Sequence, residues 1–128
     1  MQERKQYIET EYMTLWLEDG IMNVIFKGAT ISLEMAKQVV EHRLLLSQKK
    51  VYPLYVDIRN IIYIDAKTRE FLSGEEGTCQ ASAAALHINN PVTKLLGNVF
   101  IETDNPIRPA ELFTDKTKAM EWLEGFKQ

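Results

Sequence analysis

The sequence VYPLYVDIRNIIYIDAKT, residues 51–68, decides the fold. Its first half, residues 52–58, alternates apolar side chains with tyrosine and aspartate, and this period of two is typical of a β-strand. Pro53 lies near the start of that strand, where a sheet tolerates a residue without an N–H donor. Because apolar residues fill one face of the strand, we predict that it is the central strand of a sheet.

The second half of this stretch indicates a loop followed by a helix. Aspartate is a preferred N-cap, so Asp65 predicts a helix that begins at Ala66 and buries Phe71 and Leu72. A serine and glycine at positions 73–74 interrupt this helix.

The residues before this stretch predict a β-hairpin and a helix. Residues 6–17 are rich in aromatic and aliphatic side chains and are predicted as one strand, and residues 21–27 form the second. The Asp-Gly pair at positions 19–20 joins them, because it readily adopts the positive φ of a tight turn. Apolar residues at helical spacing then predict a helix over residues 33–47, capped by Ser32.

The residues after this stretch predict two more strands, each followed by a helix. Residues 81–88 are small and apolar; their alanines would suit a helix, but we predict a strand because the run is short and ends at Asn-Asn-Pro. Asn and Pro at positions 90–91 begin another helix. Residues 106–113 predict an edge strand compatible with two prolines, and Asp115 caps the terminal helix.

The order of elements, β-β-α-β-α-β-α-β-α, predicts an α/β fold. We expect one mixed sheet of about five strands, opened by the hairpin, with about four helices packed against it through right-handed crossovers. A length of 128 residues is typical of a single domain, so residues 1–128 are predicted to form one.

Composition excludes several classes of partner. The net charge is −3, from 15 basic and 18 acidic residues, so no overall positive field favours nucleic acid. Apolar runs are far shorter than the roughly 20 residues that cross a bilayer. A single cysteine, Cys79, and an N-terminus without an apolar signal region lead us to expect a reducing, cytoplasmic location.

Residues 56–68, VDIRNIIYIDAKT, resemble the signature of STAS domains, which reads approximately VDLSGVxxIDSSG. The end of the chain, with FTD at positions 113–115 and AxxWL at 119–123, is similar to the SpoIIAA-like branch of that superfamily. The resemblance covers nearly the whole chain and implies a SpoIIAA-like fold. It also implies a non-enzymatic regulatory module that binds a partner protein in bacterial signalling, and it leaves a homodimer open.

Two further expectations follow from this resemblance. In anti-sigma-factor antagonists, a serine just after the second aspartate is phosphorylated and controls partner binding. Here Ala66 and Lys67 occupy the two serine positions, and Thr68 is the next hydroxyl, so we predict constitutive binding without a serine switch. The same fold group includes CRAL-TRIO lipid-transfer proteins, which implies an alternative function: a carrier of a small apolar ligand or lipid between helices and sheet.

The candidate binding site is the loop after the central strand, because open α/β sheets place their sites at the carboxyl ends of strands. Its candidate residues are Asp57, Arg59, Asn60, Asp65, Lys67 and Thr68. Structural roles are the simpler interpretation: Asp57 anchors the loop, Asp65 caps a helix, and Arg59 forms a solvated ion pair. Alternatively, Arg59 presents its planar fork to a carboxylate or phosphate of a partner.

The sequence contains no catalytic motif. No nucleophile has a partnered base, and His42 and His87, the only histidines, lack a second ligand at metal-binding spacing. We therefore expect a protein that is not an enzyme and that needs no metal or cofactor.

Overall fold

Three antiparallel strands open the sheet in the computed structural model, which describes residues 6–128. They are β1 (Gln6–Glu9), β2 (Met13–Glu18) and β3 (Ile21–Phe26). The predicted Asp-Gly turn is confirmed, because Asp19 and Gly20 have φ values of 51° and 75° between β2 and β3. The predicted hairpin is thus the second half of a three-stranded meander.

A tight turn at Thr10 divides the segment for which we predicted one strand, residues 6–17. The Thr10 hydroxyl accepts hydrogen bonds from the N–H groups of Tyr12 and Met13, both at 3.2 Å, and the Thr10 N–H donates to the Met13 carbonyl at 2.8 Å. The single strand is wrong at this point, since a threonine hydroxyl can satisfy turn amides that a continuous ladder would otherwise bond.

The later strands run parallel in the main sheet. Downstream of β3 the strands are β4 (Thr30–Ile31), β5 (Tyr52–Asp57), β6 (Tyr63–Ile64), β7 (Ala81–His87) and β8 (Ala110–Phe113). The main sheet has the order β1-β2-β3-β5-β7-β8, and β4 pairs only with β6. The predicted α/β fold is confirmed, with six strands in the main sheet of residues 6–128 where about five were expected.

The strand predicted over residues 81–88 is confirmed as β7, which ends one residue earlier, at His87, and pairs in parallel with β5 on one side and β8 on the other. The predicted edge strand, residues 106–113, is shorter than expected because β8 begins at Ala110. Pro109 lacks a backbone donor, although its carbonyl still accepts a hydrogen bond of 2.9 Å from the Ala84 N–H.

The described helices begin at the predicted caps. They are α1 (Leu33–Ser47), α2 (Ala66–Ser73), α3 (Pro91–Asn98) and α4 (Lys116–Glu124), and a π-helical segment, Val99–Thr103, continues α3. The side chains that accept hydrogen bonds from first-turn amides are Ser32, Asp65, Asn90 and Asp115. Within residues 6–128, every helix is too short or too polar to cross a lipid bilayer.

The two faces of the sheet carry separate cores. Residues of α1, α2 and α3 pack with one face, where Met13, Leu15, Met22 and Val24 are buried. Helix α4 covers the other face, packing on β5, β7 and β8. The alanines of β7 explain how α4 approaches so closely: Ala83 and Ala85 are fully buried against it together with its own Ala119 and Leu123.

Candidate binding site at the carboxyl end of the sheet

The candidate site lies where parallel strands β5 and β7 end at one edge of the sheet. Asp57 of β5 is the register partner of His87 of β7, and Tyr55 stands two residues before Asp57. Because side chains alternate along a strand, Tyr55 and Asp57 project to the same face, the one covered by α4. Edges of this kind are where open α/β sheets bind ligands.

Three hydrogen bonds join Arg59 to the carboxylate of Asp57. Asp57 Oδ1 accepts hydrogen bonds from the backbone N–H and from Nε of Arg59, both at 3.0 Å, and Oδ2 accepts one from Nη2 at 2.8 Å. Burial opposes ionisation of Asp57, but the hydrogen bonds from Arg59 outweigh it and hold the pKa of the carboxyl below its usual value. Asp57 therefore anchors the loop, and one side of the Arg59 fork is already occupied.

Tyr55 and His87 form a second pair in the same place. The Tyr55 hydroxyl is hydrogen-bonded to His87 Nδ1. Burial, reinforced by Asp57, raises the pKa of Tyr55 to about 12, so the phenol keeps its proton and is the donor. Burial and then the charge of Arg59 lower the pKa of His87, which favours a neutral imidazole with its hydrogen on Nε2.

Lys116, the first residue of α4, completes the group. Its ammonium lies 5.0 Å from the centroid of the Tyr55 ring, a cation–π distance. We call these five side chains the carboxyl-end cluster: Tyr55, Asp57, Arg59, His87 and Lys116. Arg59 and Lys116 are exposed to solvent, whereas Tyr55, Asp57 and His87 are buried. The cluster therefore presents positive charge to solvent.

The other predicted site residues divide between the surface and the interior. Asn60 and Lys67 are exposed and free to contact a partner. Asp65 Oδ1 accepts a hydrogen bond of 2.8 Å from the Thr68 N–H and caps α2, and that bond is the main cause of a lowered Asp65 pKa. Thr68 has an exposed fraction of 0%. The structure therefore does not bring Thr68 to the surface with Arg59.

Two exposed apolar residues also belong to this loop. Ile62 and Tyr63 have exposed fractions of 63% and 58%. Their N–H groups both donate to the Ala29 carbonyl, at 2.7 and 3.2 Å, which ties the loop to the chain before α1. Ile61, next to them, is buried with an exposed fraction of 1%. Backbone hydrogen bonds thus hold this loop in place, and two of its apolar side chains are exposed to solvent.

Sequence reasoning missed three members of the cluster. The alternation of β5 places Tyr55 on the face of Asp57, and this signal was present in the sequence. The position of His87 at the end of a parallel strand was a second signal. Lys116 had none, because only the packing of α4 brings it over Tyr55. Among residues 6–128, no group of three or more His, Cys, Asp or Glu side chains has a metal-binding arrangement.

A cavity of about 110 Å³ lies on the opposite face of the sheet, under α1, α2 and α3. Its walls are mainly aliphatic and aromatic, and they include Val24, Leu54, Leu86 and Phe100. Arg43 of α1 also lines it.

The comparison with protein families places this chain. Residues 15–127 match the family described as Domain of unknown function (DUF7793). The chain belongs to this family. None of the curated proteins compared with this DUF7793 chain matches it.

A solved structure shows the fold of this DUF7793 chain. It is similar to the crystal structure of an uncharacterized protein of the DUF3478 family, with a SpoIIAA-like fold, from Shewanella loihica PV-4. The TM-score is 0.60 at 12% sequence identity, and the alignment covers 96% of this chain and 98% of the other. The predicted SpoIIAA-like fold is therefore confirmed, as a likeness of fold.

Proposed function

We propose that this chain is a single, non-enzymatic STAS-like binding domain that contacts a partner protein through the loop between β5 and α2. The observation that carries the proposal is the pair Ile62 and Tyr63, two large apolar side chains exposed on an anchored loop beside Arg59. Aromatic residues and arginine are enriched among the residues that dominate binding energy at protein interfaces.

The anchoring of the loop strengthens this proposal. A partner that binds a fixed loop does not have to order it first, so less of the contact energy is lost as entropy. The ion pair of Asp57 and Arg59 supplies one anchor and the bonds to Ala29 another. Asn60 and Lys67 would then form the polar rim around the apolar centre.

The chemistry of the carboxyl-end cluster also favours binding over catalysis. Its carboxylate, Asp57, accepts hydrogen bonds from Arg59. The Nδ1 of His87 accepts a hydrogen bond from the Tyr55 phenol, which keeps its proton. A catalytic base needs a reacting group within hydrogen-bond reach. The cluster instead holds the start of the loop through the hydrogen bonds between Asp57 and Arg59, and the regulatory role that we propose needs no reacting group there.

Quantitative pull-down from the native host, followed by binding to the purified candidate, tests this proposal. The informative variant replaces Ile62 and Tyr63 by serine. The matched control is Leu45→Ser on α1, which removes an apolar side chain with an exposed fraction of 65% outside the loop. We expect the double variant to lose the partner at least tenfold while the control retains it.

The same variants can contradict the proposal, and they also test whether the partner is a second copy of this chain. Equal binding by both would overturn the proposal. Sedimentation velocity tests the homodimer directly: if the wild type is a dimer and only the double variant is a monomer, the partner is a second copy of this chain.

The cavity favours a second candidate function, a carrier of a small apolar ligand. A void of this size with aliphatic walls is unusual in a close-packed interior. Native mass spectrometry of freshly purified protein tests this candidate. A retained small molecule supports it, and a bare protein that also binds no added apolar compound contradicts it.

A further inference from the structure

Arg43 is a buried cation without an anion. It has an exposed fraction of 2%, its Nη2 donates a hydrogen bond of 3.1 Å to the Gly77 carbonyl, and its buried Nη1 has no hydrogen-bond partner. No carboxylate among residues 6–128 forms an ion pair with it. Burial lowers the pKa of Arg43 to about 10, so the guanidinium remains charged at neutral pH.

The single acceptor of Arg43 is fixed by backbone packing. A side chain on Gly77 would place its Cβ 2.2 Å from the Phe71 carbonyl oxygen, so the loop lies directly against the end of α2. The Gly77 carbonyl accepts one hydrogen bond from the guanidinium, which has five N–H donors. Buried charges in proteins are normally paired, and this one lacks a protein partner for Nη1.

The two other arginines that line the cavity, Arg69 and Arg108, differ from Arg43 in pairing or in burial. Arg69 is paired with a carboxylate: its Nε donates to Asp104 at 2.9 Å, and its Nη1 donates to the Ile64 carbonyl at 2.6 Å. Arg108 is exposed at the cavity and makes no hydrogen bond or ion pair within residues 6–128. The buried Arg43 and the solvent-exposed Arg108 thus border one apolar space.

Topology places both groups at one end of the cavity. Gly77, the acceptor of Arg43, precedes β7, and Arg108 precedes β8, so both lie where these parallel strands begin. Ile58, which also lines the cavity, follows the other end of β5. The two arginines that lack a carboxylate partner therefore lie toward the amino end of the sheet, whereas Arg69, which contacts the Ile64 carbonyl after β5, is paired with Asp104.

We propose that this cavity binds a small organic carboxylate, with its carboxylate on Arg43 and its apolar body along the sheet. A guanidinium fork matches a carboxylate in geometry and charge. The cavity volume of about 110 Å³ suits a short carbon chain and not a whole lipid. Arg108 at the rim attracts the anion toward the cavity. This inference deepens the carrier function and is independent of the protein-binding loop.

Two acidic groups and one thiol belong to the same surroundings. Glu75 and Glu76 are exposed in the loop before Gly77, where water hydrates them. Cys79, two residues after Gly77, is a free and partly buried thiol near Arg43. A Cys79→Ser variant therefore separates a contribution of the thiol from that of Arg43, and we expect it to bind hexanoate as the wild type does.

NMR titration with hexanoate and hexan-1-ol tests the proposal, because the two share a chain and differ in the headgroup. We expect wild-type protein to bind hexanoate at least tenfold more tightly than hexan-1-ol. Arg43→Met, which removes the charge and keeps most of the volume, should abolish this preference. Lys37→Met is the matched control, because it removes an exposed cation of the same helix outside the cavity, and it should retain the preference.

The possible results test the carboxylate headgroup and the carrier function separately. If the wild type binds the two compounds equally, or if Arg43→Met still prefers hexanoate, the proposed carboxylate site on Arg43 is wrong. A carrier of uncharged apolar ligands then remains. Binding of neither compound overturns both, and neither result affects the loop variants. If Arg43→Met does not fold, Ala84→Leu fills the cavity without touching the charge, and unchanged hexanoate binding by that variant would also overturn the site.

Discussion

Asp57 and His87 are register partners in the parallel ladder of β5 and β7, yet each binds a different side chain, Asp57 to Arg59 and His87 to Tyr55. The two groups could have formed an acid–base pair. Instead, each forms its side-chain hydrogen bond with another member of the carboxyl-end cluster. The bonds between Asp57 and Arg59 hold the start of the loop that follows β5.

Replacing Asp57 by Asn should destabilise the protein and change its response to acid. The loss of the charged acceptor should cost about 1.5–3 kcal/mol at neutral pH, less any part that the solvent-exposed Arg59 recovers. The folded pKa of Asp57 is lowered, so its contribution is present above the unfolded value of about 3.9 and is lost as pH falls through the folded value. Urea unfolding at several pH values below 5 should show the wild type converging on the variant; a constant difference would contradict this.

The protonation of His87 should oppose folding. Its folded pKa is lowered, so the unfolded chain takes up a proton first as pH falls below about 6.5, and the stability conferred by the neutral imidazole is lost from there through the folded value. An NMR titration that follows the ring Hε1 of His87 measures this directly. Titration at or above 6.5 in the folded protein would show that the burial argument is wrong.

Gly77→Ala should be among the most damaging single substitutions. The new Cβ would meet backbone atoms of the preceding helix at 2.2 Å, and backbone cannot be moved cheaply. We expect a loss of about 3 kcal/mol or more in the free energy of unfolding, as for other overpacked sites. Gly28→Ala is the control, since its nearest contact is an ordinary 3.6 Å, and urea unfolding should give it nearly wild-type stability.

Thr68 should carry no phosphate in the native host. Its side chain is fully buried in the first turns of α2, so a kinase could reach it only if that helix opened. Intact-mass measurement and peptide mapping of protein purified from the host test this expectation. Stoichiometric phosphate on Thr68 would restore a switch and replace the constitutive binding proposed here.

Local signals in the sequence determined most elements of the fold. The caps Ser32, Asp65 and Asp115 and the Asp-Gly turn depend on residues within a few positions of each other, so their hydrogen bonds can be predicted from spacing. The loop anchored by Asp57 is equally local, because Arg59 is two residues away. The STAS resemblance of residues 56–68 rests on the same short stretch.

Tertiary structure alone decided how the sites are built. Tyr55 and His87 are 32 residues apart, and Arg43 and Gly77 are 34 apart, so no local pattern links them. Whether a buried arginine is paired depends on every element packed around it, and α1 brings Arg43 to a place where a single carbonyl can reach it. Sequence spacing fixes short-range hydrogen bonds, whereas the surroundings of a buried charge are fixed only when distant segments pack together.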